Sequence, residues 1–215
     1  GEGLPRTYVT GESIDSVWRH LQATDFEQLA DPDPASPADA VALLTNLRLA
    51  DVTADQDVTP RECFGNSVRC ALELAVLDAV CRSTDCPFGD VIRDLPLAAD
   101  VFSPRDEVRY SGVMTAATGL RQWRSALKMK IFGFRQVKIK VGTAGIDDVI
   151  SVGRARRVLG GDVDLRLDAN EAWDCDEVIT RIQMLEPFAP TCLEQPVPHF
   201  QVHRLADVKP CIATP

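Results

Sequence analysis

The stretch "VKIKVG", residues 137–142, sets two lysines two apart among branched apolar residues. Side chains alternate faces along a strand, so Lys138 and Lys140 share one face and Val137, Ile139 and Val141 the other. One face of an otherwise apolar strand then carries two neighbouring ammonium groups. An edge strand with a solvated face would account for this, so the segments around it have to decide.

From residue 108 onward, strand-like and helix-like segments alternate. "VRYSGVMTA" (108–116), "RQVKIKVG" (135–142), "VDLRLDAN" (163–170) and "TCLEQPVP" (191–198) read as strands, the last stopped by prolines. Between them lie three helix-like segments. Residues 119–134 carry Leu120, Trp123, Leu127 and Ile131 on one side, and residues 145–161 end in glycines. In residues 174–188, Asp174 and Glu177 have capping-box spacing. Four βα steps in order predict a parallel α/β sheet. Lys140 to Asp168 is 28 residues (168 − 140) and Asp168 to Glu194 is 26 (194 − 168). Each step is about one βα unit, given roughly 30 residues for a βαβ segment. The three residues therefore fall at equivalent C-terminal strand ends, the edge where parallel α/β folds place their active sites.

Residues 1–107 read as mostly helical. "GESIDSVWRHLQ" (11–22) carries an apolar stripe of Ile14, Val17, Trp18 and Leu21. A proline-rich break at 31–37 precedes a second helix over 38–50. The third, 66–83, repeats Val68, Leu72, Ala75, Val76, Ala79 and Val80 at helical spacing, with Leu74 and Leu77 off that stripe. It is expected to be buried on most sides.

Composition sets bounds. The net charge of −9 disfavours nucleic acid and anionic membrane as partners. No run of 18 apolar residues is present, so no membrane span is expected. The first residues have neither a basic nor an apolar targeting segment. Seven cysteines without a CxxC pair then read as reduced, mostly buried thiols in a cytoplasmic protein.

Each charged motif has a plain reading. "DAN" suits a strand-end turn, "EQP" a strand meeting a proline, and the carboxylates could be structural salt-bridge partners of the lysines. Together they point further, because charges on strands buried in an α/β fold need partners or a bound ion. Two carboxylates on adjacent strand ends form a hard-oxygen site suited to Mg²⁺. A lysine beside a second lysine and a metal cation has its charged form disfavoured, so Lys140, assisted by Lys138, could act as a general base. That equipment removes a proton α to a carboxylate.

"VKIKVG", "LRLDANEAW" and "CLEQPVP", in this order and spacing, resemble the enolase superfamily and its muconate-lactonizing subgroup, of the mandelate racemase/muconate lactonizing family. The resemblance implies a fold class of α/β: a partial (β/α) barrel over 108–215, preceded at 1–107 by the mainly helical part of an α+β capping domain. It implies Lys140 as the acid/base residue with Lys138 as helper, and Asp168 and Glu194 as Mg²⁺ ligands. Asn170 and Gln195 would be supporting groups. It further implies a small-molecule carboxylate substrate and a homo-oligomeric full-length enzyme catalysing racemisation, epimerisation or cycloisomerisation. The family's barrel has eight strands and four are countable here, so the third metal ligand and an opposing lysine are expected beyond Pro215, and the first capping strands before Gly1. A half-barrel serving as an inactive fragment or binding module, an acid-sugar dehydratase, and another metal-dependent barrel enzyme such as a Schiff-base aldolase stay open.

Overall fold

The computed structural model describes residues 1–30, 33–93, 95, 103 and 105–215, and it divides into two compact units, Gly1–Pro104 and Arg105–Pro215. In the first unit, helix α1 (Ile14–Ala23) starts at a reciprocal cap in which Ser13 Oγ accepts from Ser16 N and Ser13 N donates to Ser16 Oγ, both at 3.0 Å. Its expected apolar stripe does not face inward: Ile14 is 68% and Trp18 58% exposed, while Ser16 and His20 are buried. The inner face is chosen by specific partners instead. His20 Nδ1 meets Ala50 O at 3.1 Å, and its ring tilts against Phe64. The proline-rich break includes residues 31 and 32, which lie outside the described residues; α2 (Pro37–Asn46) begins just after it, capped by Ser36 with proline at the first turn.

Helix α3 (Asn66–Ser83) opens without a side-chain cap of its own. The fully buried Glu12 supplies one, accepting from Ser67 N at 3.2 Å and Ser67 Oγ at 2.6 Å. Its expected burial on most sides is not observed: Ser67, Val68, Val80 and Cys81 are buried, whereas Leu74 is 37% exposed. Helices α1 and α2 pack on it, and the first residues of the chain run along another side, where Cys70 Sγ meets Glu2 O at 3.9 Å. The cysteine reading needs the same correction. Cys81 and Cys175 are buried, but Cys70 on α3 and Cys211 are exposed. A short α4 (Asp90–Arg93) follows, and no strand occurs among the described residues of this unit.

The second unit alternates β1 (Gly112–Met114), α5 (Gly119–Ile131), β2 (Gln136–Lys140), α6 (Asp148–Leu159), β3 (Asp164–Asp168), α7 (Cys175–Leu185), β4 (Cys192–Glu194) and α8 (Leu205–Val208). The strands form one sheet in the order β1-β2-β3-β4 with every neighbour parallel. Val137, Ile139, Leu165 and Leu167 turn to the helix side and pack in one core with Val152, Ala155, Val178 and Ile182. Expected burial on both sheet faces is met throughout the helix side and, on the other face, at Asp168, which is 1% exposed. Elsewhere on that face the Lys138 side chain is 25% exposed and Val113 50%.

Two helix details differ from the sequence reading. In α5 the stripe of Leu120, Trp123 and Ile131 is exposed, and Gln122 and Ala126 face the core. Gln122 Nε2 reaches α6, donating to Ser151 O at 2.6 Å, so small size and a buried polar bond rather than apolar bulk set this contact. At α7, Asp174 caps by accepting from Asp176 N at 2.9 Å, but Glu177 turns outward to Arg181 and closes no box.

The end of the sheet opposite the lysines is closed by Arg156 on α6. Its guanidinium donates to Phe188 O (2.8 Å), Val163 O (2.7 Å), Gly160 O (2.9 Å) and Ala189 O (3.0 Å). Four carbonyls around two chain reversals thus share one planar donor. Arg156→Met leaves them unsatisfied and is expected to lower stability by about 2–4 kcal/mol in chemical denaturation. Arg156→Lys recovers little of it, since an ammonium cannot span the fork.

Candidate active site

Parallel pairing sets Lys140 opposite Asp168, and Asp168 opposite Glu194, as Cα partners at one level of the sheet. One layer earlier on the same face, Lys138 pairs with Arg166, and Arg166 with Cys192. Lys138 leans toward the upper row, its Nζ lying 3.0 Å from Asp168 Oδ2 and 3.1 Å from Glu194 Oε2. Lys140 Nζ lies 3.3 Å from Asp168 Oδ2 and donates to Asn170 Oδ1. Asn170 N donates to Asp168 Oδ1 at 3.1 Å, and its Nδ2 reaches Gln195 Oε1 at 3.4 Å. The six residues singled out from the sequence therefore meet at one strand-end edge.

Local backbone fixes that edge. Gly142 ends the opening motif at φ +75°, and a Cβ there would come within 2.5 Å of Ala172 Cβ and 3.0 Å of Trp173 Nε1. Its N–H donates to both oxygens of Asp148, at 2.9 and 3.1 Å, holding the β2–α6 turn. Burial pushes the Asp148 carboxyl above the usual range despite that bond. Asn170, Glu171 and Gln195 all have positive φ, and Glu171 N donates to Gln195 O at 2.7 Å, tying the ends of β3 and β4 together.

Electrostatics follow from the contacts. Burial alone would raise the Asp168 carboxyl, which is 1% exposed; the hydrogen bonds from Lys138, Lys140 and Asn170 outweigh it and hold it below the usual range. The bond to Asp168, then that to Glu194, raises Lys138 above an ordinary lysine against the pull of burial. The Lys138 ammonium thus sits between two carboxylates, in a place that already stabilises positive charge. The donor set is hard oxygen and fits a divalent ion such as Mg²⁺. Among the described residues no group of three or more His, Cys, Asp or Glu is placed to hold a metal.

Two neighbours escaped the sequence reading. Arg166 lies two residues before Asp168, the same spacing that marked Lys138 and Lys140, and Ser111 accepts its Nη2 at 2.6 Å. His199, after β4, meets Glu171 at 3.3 Å.

With this geometry in place, comparison assigns the class. Residues 121–215 match the family described as Enolase C-terminal domain-like. The second unit thus matches that family over most of its length, and its parallel sheet has the fold of the solved structures it resembles. Among its relatives, the hydrophobic dipeptide epimerase of Enterococcus faecalis is 27% identical over 92% of this chain and 49% of its own length. The L-Ala-D/L-Glu epimerase of Bacillus subtilis is 27% identical over 100% of this chain and 53% of its own length. The crystal structure of the N-succinyl Arg/Lys racemase of Bacillus cereus shares the fold, with a TM-score of 0.78 at 22% identity over 100% of this chain and 53% of that one. The chain spans about half the length of the curated relatives it matches.

The depressed Asp168 carboxyl has a consequence for stability. Its native-state value lies below its unfolded one, so its contribution is fully present above about pH 3.9 and fades as pH falls through the native value. In the metal-free chain, Asp168→Asn is expected to cost about 1–3 kcal/mol at pH 7. In denaturation at a series of pH values, that difference from the parent should close below about pH 3.9. A gap that stays constant down to acid pH would show that the carboxylate charge contributes nothing.

Proposed function

We propose that the full-length protein is a Mg²⁺-dependent racemase or epimerase that removes a proton α to a carboxylate. The observation carrying this reading is the in-register row Lys140, Asp168 and Glu194, with one ammonium held between both carboxylates. Lys140 is the acid/base residue, and Asn170 fixes its Nζ at the strand end. Lys138 is its helper, held at the carboxylates from the layer below. Asp168 and Glu194 hold the cation, with a third ligand beyond Pro215. When bound, the cation supplies charge that offsets the negative charge developing on the substrate carboxylate as the proton leaves.

The substrate class follows from chemistry that the relatives' names share. A dipeptide such as L-Ala-D/L-Glu and an N-succinyl amino acid both place the changing stereocentre between a carboxylate and an acylated nitrogen. An N-acyl α-amino carboxylate is therefore the expected substrate. The Lys138 and Lys140 ammonium groups suit its carboxylate, and they stand in a chain whose net charge is −9. No helix among the described residues is long and apolar enough to cross a membrane.

The test is isotope exchange in D₂O by the full-length enzyme with dipeptides and N-succinyl amino acids of both configurations. Lys140→Ala should reduce α-deuterium uptake about 100-fold or more for one configuration, the scale of a lost general base. Equal uptake with both configurations after that substitution would remove Lys140 from the chemistry. Asp168→Asn and Glu194→Gln should each weaken Mg²⁺ binding in calorimetry.

A further inference from the structure

We infer that Arg166 is a positioning residue, a fixed cation beneath the site that keeps the Lys138 ammonium raised between Asp168 and Glu194; this rests on the function proposed above. Arg166 and Lys138 are Cα partners on neighbouring strands, and both side chains lie on the same face of the sheet. Two long cationic side chains cannot extend in the same direction from adjacent positions without bringing like charges together, which is unfavourable across a strand pair. The structure resolves the conflict by sending them opposite ways. Lys138 reaches toward the C-terminal strand ends, 3.0 and 3.1 Å from the two carboxylates. Arg166 turns back to Ser111, the residue before β1, with Nη2 to Oγ at 2.6 Å.

The path of that bond matters. It begins on β3 and ends at the start of β1, so the guanidinium crosses the strand between them, β2, below the level of Lys138. Ser111 lies within 3.4 Å of Gln136 O on β2, which anchors the far end. Arg166 Nε is buried and makes no hydrogen bond. An uncompensated buried donor is costly, so this guanidinium is not held by ideal pairing alone. Its charge also faces Cys192 on β4, where it lowers a thiol that burial otherwise raises. A half-buried cation thus lies below Lys138 on the same face, and the downward rotamers of Lys138 would meet it. The upward one meets two carboxylates.

Removing the cation makes the lower space available to Lys138; keeping a cation there, even with another shape, does not. In the full-length chain, crystal structures of Arg166→Met and Arg166→Lys separate these. In Arg166→Met the Lys138 Nζ should leave at least one carboxylate; in Arg166→Lys it should keep both. Kinetics follow the same order. Arg166→Met should lose about tenfold in kcat, roughly 1.4 kcal/mol of barrier, with KM little changed, and Arg166→Lys should recover most of it. Arg166→Gln, which removes the charge but keeps an amide donor for Ser111, should give a loss in the same direction and covers the case in which Arg166→Met does not fold. The inference is overturned if Lys138 keeps both contacts in whichever of these neutral variants folds. It is equally overturned if Arg166→Lys is as impaired as Arg166→Met. The crystallographic arm does not depend on activity, so an inactive wild-type enzyme would defeat the function proposed above and still leave this inference tested.

Discussion

The Asp168 carboxylate, buried at the end of β3 and held by two ammonium groups, is the contact on which the rest of this structure depends. A lone carboxylate so buried would be strongly disfavoured. Its partners come from β2, one register level apart, and reach it because β2 and β3 pair in parallel with Lys140 opposite Asp168. That register in turn needs a crossover of the right length: α6, capped by Asp147 at one end and ended by Gly160 at the other. The turn leaving β2 needs Gly142, where a Cβ would strike Ala172. Helix packing, capping and a single glycine all serve to deliver two ammonium groups to one oxygen.

Much of this was legible in the sequence because strand period and unit length are rigid quantities. The alternation in "VKIKVG" assigned the faces of β2, and spacings of 28 and 26 residues placed Lys140, Asp168 and Glu194 in one row, as the sheet register shows. What failed was the reading of helix faces. In α1 and α5 the most apolar side points away from the described core, and Ser16, His20, Gln122 and Ala126 face inward. Hydrophobic periodicity says which residues would profit from burial, not which neighbour is present to bury them. Here the inward choice is made by specific bonds, Gln122 to Ser151 and His20 to Ala50. Arg166 was missed for a different reason. Its spacing from Asp168 matched the rule that singled out the lysines, but between two leucines in "LRLDAN" it reads as a lone solvated charge.

The charges of the inner face balance in number but not in place. Lys138, Lys140 and Arg166 share it with Asp164, Asp168 and Glu194. Asp164 lies at the far end of β3, opposite Gln136, whereas both lysine ammonium groups converge on Asp168 at the C-terminal strand ends, with Glu194 beside it. Parallel α/β folds bind their ligands at that edge. The gathering of charge there favours a site that receives a ligand over charges placed only to neutralise one another.

The backbone at this edge supports the same conclusion by an independent route. Asn170, Glu171 and Gln195 adopt left-handed φ values between +45° and +65°. Non-glycine residues in that region cost of order 1–3 kcal/mol each, and they persist where the surroundings over-determine them. The surroundings here are the sheet beneath and the bond from Glu171 N to Gln195 O, which locks the two strand ends to each other. A purely structural strand end has no need of this, since a glycine or a looser turn would serve at lower cost. The strain becomes intelligible if Asp168, Asn170 and Glu194 must hold fixed positions before anything binds. Preorganised groups spend no free energy reorienting when charge develops on a bound molecule, and the three constrained residues flank the side chains for which that matters.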